Sequence, residues 1–112
     1  MIYFGSTSPA MTEALDALQA QGVHVDALRV RAFPFSAAVD AFIAAHDTVF
    51  IVEQNRDAQL RTLVVTEHEV DPAKLEPVLH YDGTPITARF ITQAITTHVH
   101  ALAVAPRREK AV

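Results

Sequence analysis

Two short polar stretches hold most of the residues able to bind or transform a small molecule. Gly5-Ser6-Thr7-Ser8 offers three adjacent hydroxyls, and Glu53-Gln54-Asn55-Arg56-Asp57 offers two carboxylates, two amides and a guanidinium, with Gln59 close behind. Arg56 could fork onto a carboxylate or phosphate while the hydroxyls and nearby helix amino ends complete an anion site. The same residues also suit a plainer role, in which Asn55 or Asp57 caps the next helix and the rest meets water or a neighbouring domain. Both readings stand at the level of sequence.

Other chemistries find less support. The chain has no cysteine, so it offers no thiolate nucleophile, disulfide or cysteine ligand for zinc or an iron-sulfur cluster. Of the six histidines, His98 and His100 fall two apart on a predicted helix and point in different directions, while Glu67-His68-Glu69 lacks the spacing that puts two ligands on one helical face. No metal site is expected. Three scattered glycines cannot build either a G-x-G-x-x-G turn or a P-loop, and no G-x-S-x-G elbow is present. A net charge of -4 and a pI near 5.8 supply no basic field for a nucleic acid. No apolar run reaches the roughly 20 residues that span a bilayer, and MIYFGSTSP lacks the marks of a signal peptide. A cytoplasmic protein that binds neither nucleic acid nor membrane is the expectation.

The elements that must position these stretches alternate strand and helix. Ile2 to Gly5 is a short apolar strand. Ser8 and Pro9 then open an amphipathic helix carrying Met11, Ala14, Leu15 and Leu18, which Gly22 closes. Val23 to Val30 alternates at period two and predicts a second strand, stopped by Phe33-Pro34-Phe35. Ser36 caps a second helix with Val39, Phe42 and Ile43 on one face, ended by His46 and Asp47. Val49 to Val52 is a continuous apolar run, as a strand covered on both faces of a parallel sheet requires. A third helix spans Ala58 to about Glu67. Leu75 to Leu79 is a fourth strand that Pro77 confines to an edge, and Thr84 and Pro85 open a last helix carrying Ile86, Phe90, Ile91 and Ile95.

This pattern predicts one α/β domain over residues 1–105 with a charged tail over 106–112. Its architecture is a three-layer α/β/α sandwich around a mostly parallel sheet of four to five strands, with core order 2-1-3-4 and right-handed crossovers. Functional loops in such a sheet gather at the strands' carboxyl ends, where the winding direction reverses between strands one and three. Both polar stretches lie there. A phosphorelay receiver would share the sheet but would place carboxylates where this chain has Ser6 and an aspartate where it has Glu53.

The blocks GSTSPAMTEAL, LRVRAFPF, VFIVEQNRDAQLRTL and LHYDGTPITARF, in that order, closely resemble the C-terminal domain of 2-oxoacid:ferredoxin oxidoreductase alpha subunits, most closely the 2-oxoglutarate type. The resemblance runs from Met1 to about Ile95. It implies a transketolase C-terminal-like fold, in a complex that decarboxylates a 2-oxoacid on thiamine diphosphate and magnesium. That complex passes acyl to coenzyme A and electrons through an iron-sulfur cluster to ferredoxin. This chain matches none of the corresponding cofactor motifs: it has no Gly-Asp-Gly, and Asp82-Gly83 is followed by Thr84. No catalytic residue is carried over, and no cofactor is expected on this chain.

The residues that match the family motif are Glu53, Gln54, Asn55, Arg56, Asp57 and Gln59. With Ser6, Thr7 and Ser8 they are the candidate interface or anion-binding positions. The reading is a structural and assembly domain, inactive alone, whose partners are the remaining alpha-subunit domains and a beta subunit. The alternative is a stand-alone module that captures a small anion through Arg56. A last expectation concerns strand two: in the family fold an antiparallel strand lies beside it, and without one its outer edge would recruit a second copy of the chain.

Overall fold

The computed structural model describes residues 1–4, 8–31, 37–68 and 70–104, with backbone alone for Ser8 and for 101–104. Among them are four strands, β1 (Ile2–Phe4), β2 (Leu28–Val30), β3 (Val49–Glu53) and β4 (Leu75–Leu79). Four α-helices join or follow them: α1 (Ser8–Ala20), α2 (Ala37–Ala44), α3 (Gln59–His68) and α4 (Ala88–Val104). The strands form one parallel sheet in the order β2-β1-β3-β4, the winding expected from the sequence.

Side chains alternate across each strand, and this sorts the apolar residues into two cores. Met1, Phe50, Val52 and Val78 pack with Met11, Ala14 and Leu18 of α1 and with Ile91 and Ile95 of α4. Ile2, Val30, Val49, Ile51 and Leu75 pack on the other face with Val39 and Ile43 of α2 and with Leu60 and Val64 of α3. Because β3 is covered on both faces, all five of its residues are buried. Pro77 lies on the edge strand β4, where a missing N–H costs least.

Several boundaries differ from the sequence reading: α3 starts at Gln59, because Ala58 takes a left-handed φ of +51°, and three others each have a local cause. Val23 to Ala27 is loop, and β2 is only Leu28–Val30. The reason is the way α1 ends. Gly22 takes φ +78°, its N–H bonds the Gln19 carbonyl, and the Val23 N–H bonds the Leu18 carbonyl. This Schellman turn commits the first loop residue to the helix end, with Val23 folded onto the core that holds Leu18. β3 runs one residue further than its apolar stretch, to Glu53, whose carbonyl accepts from the His80 N–H. The last helix begins at Ala88, because Thr87 supplies its capping hydroxyl to the Phe90 N–H while Thr84 turns its own hydroxyl to Asp82. Ser36, the proposed cap of α2, and the tail 106–112 lie outside the described residues.

Candidate functional site

Parallel pairing brings Phe4, Glu53 and Leu79 to one level at the carboxyl edge of the sheet, where the sequence placed the functional loops. Gly5, Ser6 and Thr7 lie outside the described residues, as does the side chain of Ser8, whose backbone opens α1. The second polar stretch is described in full.

Glu53 is its centre. Strand alternation turns its side chain toward the face covered by α3, and the residue is 3% exposed. One carboxylate oxygen accepts from the Leu60 N–H at 2.5 Å and from the Asn55 amide at 3.0 Å; the other accepts from the Arg61 N–H at 3.2 Å. The Asn55 amide oxygen in turn accepts from the Gln59 N–H at 3.2 Å, and the Ala58 carbonyl takes the Thr62 N–H. The first four N–H groups of α3 are therefore satisfied by the chain itself, and the helix amino end faces a resident carboxylate. Ala58 stands just before it at φ +51°, a left-handed conformation that aims the loop back over the strand end.

Asn55 is thus the residue that caps α3 from this loop. Arg56 and Asp57 point outward, their charged groups 3.6 Å apart and each more than two-thirds exposed. Gln54 and Gln59 are exposed as well. Beside them His80 follows the end of β4; its Nε2 lies 3.4 Å from Asp82 and its ring meets Phe90 edge-on at 4.8 Å. Asp82 is engaged by the Thr84 hydroxyl at 2.6 Å and its N–H at 2.9 Å; these bonds hold the carboxyl below its ordinary range and brace the turn. Leu79, His80, Tyr81, Asp82 and Phe90 line an open cleft of about 330 Å³. Tyr81 is 60% exposed and Phe4 37% exposed, so the carboxyl edge presents aromatic surface next to its polar loop.

Arg61 makes a connection that residue type and spacing did not announce. Its Nε donates to the Leu75 carbonyl at 2.8 Å and its Nη2 to the Pro72 carbonyl at 2.7 Å, tying α3 to the start of β4. A second cluster joins Asp26, His24 and His46 at the opposite end of the sheet. With Asp26 and His46 20 positions apart, no local motif marks that pair. Among the described residues no group of three or more His, Asp or Glu is arranged to hold a metal, and no helix is long and apolar enough to cross a membrane.

No protein-family profile and no curated protein matches the chain. Two solved structures do. The 2-oxoglutarate:ferredoxin oxidoreductase from Magnetococcus marinus, solved with 2-oxoglutarate, coenzyme A and succinyl-CoA bound, aligns over 88% of this chain with a TM-score of 0.77 and 29% identity. This chain spans 17% of that one. The alpha chain of a probable 2-oxoacid ferredoxin oxidoreductase from Thermoplasma acidophilum aligns with a TM-score of 0.56 and 21% identity, covering 88% of each chain, and supports the fold. The chain therefore matches, in fold and in sequence, a domain of the 2-oxoacid:ferredoxin oxidoreductases.

Proposed function

We propose that this chain, a domain of the 2-oxoacid:ferredoxin oxidoreductase kind, serves as a structural and assembly domain of the alpha subunit. The whole complex would oxidatively decarboxylate a 2-oxoacid, of which 2-oxoglutarate is the favoured candidate, to its acyl-CoA. The observation that carries this reading is the Glu53 carboxylate seated on the α3 amino end. At the place where an α/β sheet commonly receives an anionic ligand, the α3 amides are already bonded, and what the described loop turns outward is a pair of charges beside two exposed aromatic rings. Such a surface suits packing against another domain, since aromatic and Arg side chains are enriched where proteins meet.

The cofactors of the complex do not fit the residues present. The sequence has no cysteine for a cluster and no diphosphate-magnesium motif. Thiamine diphosphate, magnesium, the iron-sulfur cluster and the coenzyme A site would belong to the remaining alpha domains and a beta subunit, with ferredoxin as acceptor of the assembled enzyme. Ser6, Thr7, Ser8, Glu53, Gln54, Asn55, Arg56, Asp57 and Gln59 would then form or support the interface, with Arg56 the outermost cation in the described loop.

Calorimetry of the pure chain with 2-oxoglutarate, coenzyme A and thiamine diphosphate tests the reading against capture of a small anion by Arg56. No strong binding is expected, and viologen reduction by the pure chain with the full set of substrates and magnesium should stay at background. Tight binding abolished by Arg56→Ala would favour the stand-alone anion module, and sustained turnover would overturn both.

A further inference from the structure

His46 stands at the end of α2, and both of its ring nitrogens face oxygen atoms. Nδ1 lies 2.6 Å from the Phe42 carbonyl, one turn back in α2, and Nε2 lies 2.7 Å from the Asp26 carboxylate in the loop between α1 and β2. A carbonyl can only accept, and so can an ionised carboxylate. A neutral imidazole carries one N–H and could satisfy one of them; only the imidazolium donates to both. The ring also lies against Phe42, tilted by 35° with centroids 4.5 Å apart, a contact that favours the cation. We propose that His46 is a proton-controlled latch, which fastens the Val23–Ala27 loop to the end of α2 when charged and loosens it when neutral, since only one of the two bonds can then remain.

The surroundings agree with that direction. The bond to Phe42 and then the bond to Asp26 raise the His46 pKa above its ordinary value, and the His46 bond is the main cause of the depressed Asp26 pKa. The other charged groups nearby share the loop or the start of β1. His24 lies 3.6 Å from the second Asp26 oxygen, and the Met1 amino group donates to the Asp26 carbonyl at 2.6 Å. Burial holds that amine down at about 5, so across neutral pH it is largely uncharged and leaves His46 as the principal cation on Asp26. Thr48 just before β3, Phe50 of β3, and Ile95 and Val99 of α4 complete the lining of the small cavity of about 150 Å³ beside the latch, none of them ionisable. What the latch seats is the edge strand: β2 follows Ala27 directly, and the Leu28 N–H bonds the Met1 carbonyl.

Nitrogen-15 NMR of the intact chain tests this. Below the His46 midpoint both ring nitrogens should carry protons, and the midpoint should lie above that of the same residue in the urea-unfolded chain. As pH rises through it, amides 24 to 28 should lose about fivefold or more in protection relative to solvent-exposed reference amides, the order expected when one charge-assisted hydrogen bond goes. Asp26→Asn should bring the midpoint down and leave those amides fast-exchanging on both sides of it. If that variant does not fold, the wild-type measurements still decide. A bare ring nitrogen below the midpoint, or loop exchange that merely follows the reference amides, would overturn the latch.

Discussion

Replacing Glu53 by alanine removes an acceptor from three donors at once and leaves the Leu60 N–H with no partner in a position where the residue is 1% exposed. Two effects compete. Burying a carboxylate is costly, so its removal returns some desolvation energy. Against that, each bond to a charged acceptor is worth about 1.5–3 kcal/mol and an orphaned buried donor costs about 1–3 kcal/mol. The helix amino end adds a further few tenths to 1 kcal/mol of attraction for a negative charge, as an order of magnitude. The bonds outnumber the single desolvation gain, and a net loss of about 3 kcal/mol is expected. For a domain of 112 residues this lowers Tm by about 13 °C, taking roughly 2 cal/mol/K of unfolding entropy per residue. Glu53→Gln keeps one acceptor oxygen but turns an amide toward donors, so it should fall between, at about 1.5–2 kcal/mol. Urea unfolding at neutral pH measures the series, and hydrogen exchange localises it: Leu60 and Arg61 amides should lose protection before Val64. A loss below about 0.5 kcal/mol for the alanine variant, or a glutamine variant less stable than the alanine one, would refute the account of Glu53 as the resident anion of α3.

Arg56→Ala should change stability by less than about 0.5 kcal/mol, because the Arg56–Asp57 pair is exposed and loosely spaced, yet it should weaken association with the rest of the complex in pull-down. Arg61→Ala should cost about 1–2 kcal/mol in urea unfolding by cutting the tie from α3 to Pro72 and Leu75, and Arg61→Lys should recover less than half, since one ammonium cannot reproduce two divergent donors. In a chain whose Met1 amine is acetylated, stability should decline as pH rises from about 6.5 through the folded His46 pKa, because a raised pKa contributes below the unfolded value and is lost above the folded one. With the amine free, its depressed pKa acts in the opposite sense, stability rising between about 5 and 8.0, so the decline should be blunted; no difference between the two chains would count against the buried amine. Sedimentation should show self-association through the outer edge of β2 only at high concentration, because just three residues pair in that strand; a strictly monomeric chain at high concentration would remove the edge argument.

Much of the fold is legible in residue order. The all-apolar run Val49 to Val52 announced a strand covered on both faces, Pro77 announced an edge, and Gly22 announced a helix end. Each rests on a local rule of backbone geometry or side-chain periodicity, so the winding order followed without distant contacts. The candidate loops were located for the same reason, since strand alternation and topology place Glu53 at the carboxyl edge.

What the sequence could not determine is which atoms meet there. It left Arg56 as a possible anion ligand and offered Asn55 or Asp57 as the helix cap. Only the tertiary structure shows that Asn55 takes the cap and that Glu53 turns inward to fill the α3 amino end. Alternation predicts the face of a strand residue but not the partner that packing brings to it. The Asp26–His46 latch and the Arg61 tie lay beyond sequence altogether, because residues 20 and 14 positions apart meet only after the sheet has assembled and its helices have docked.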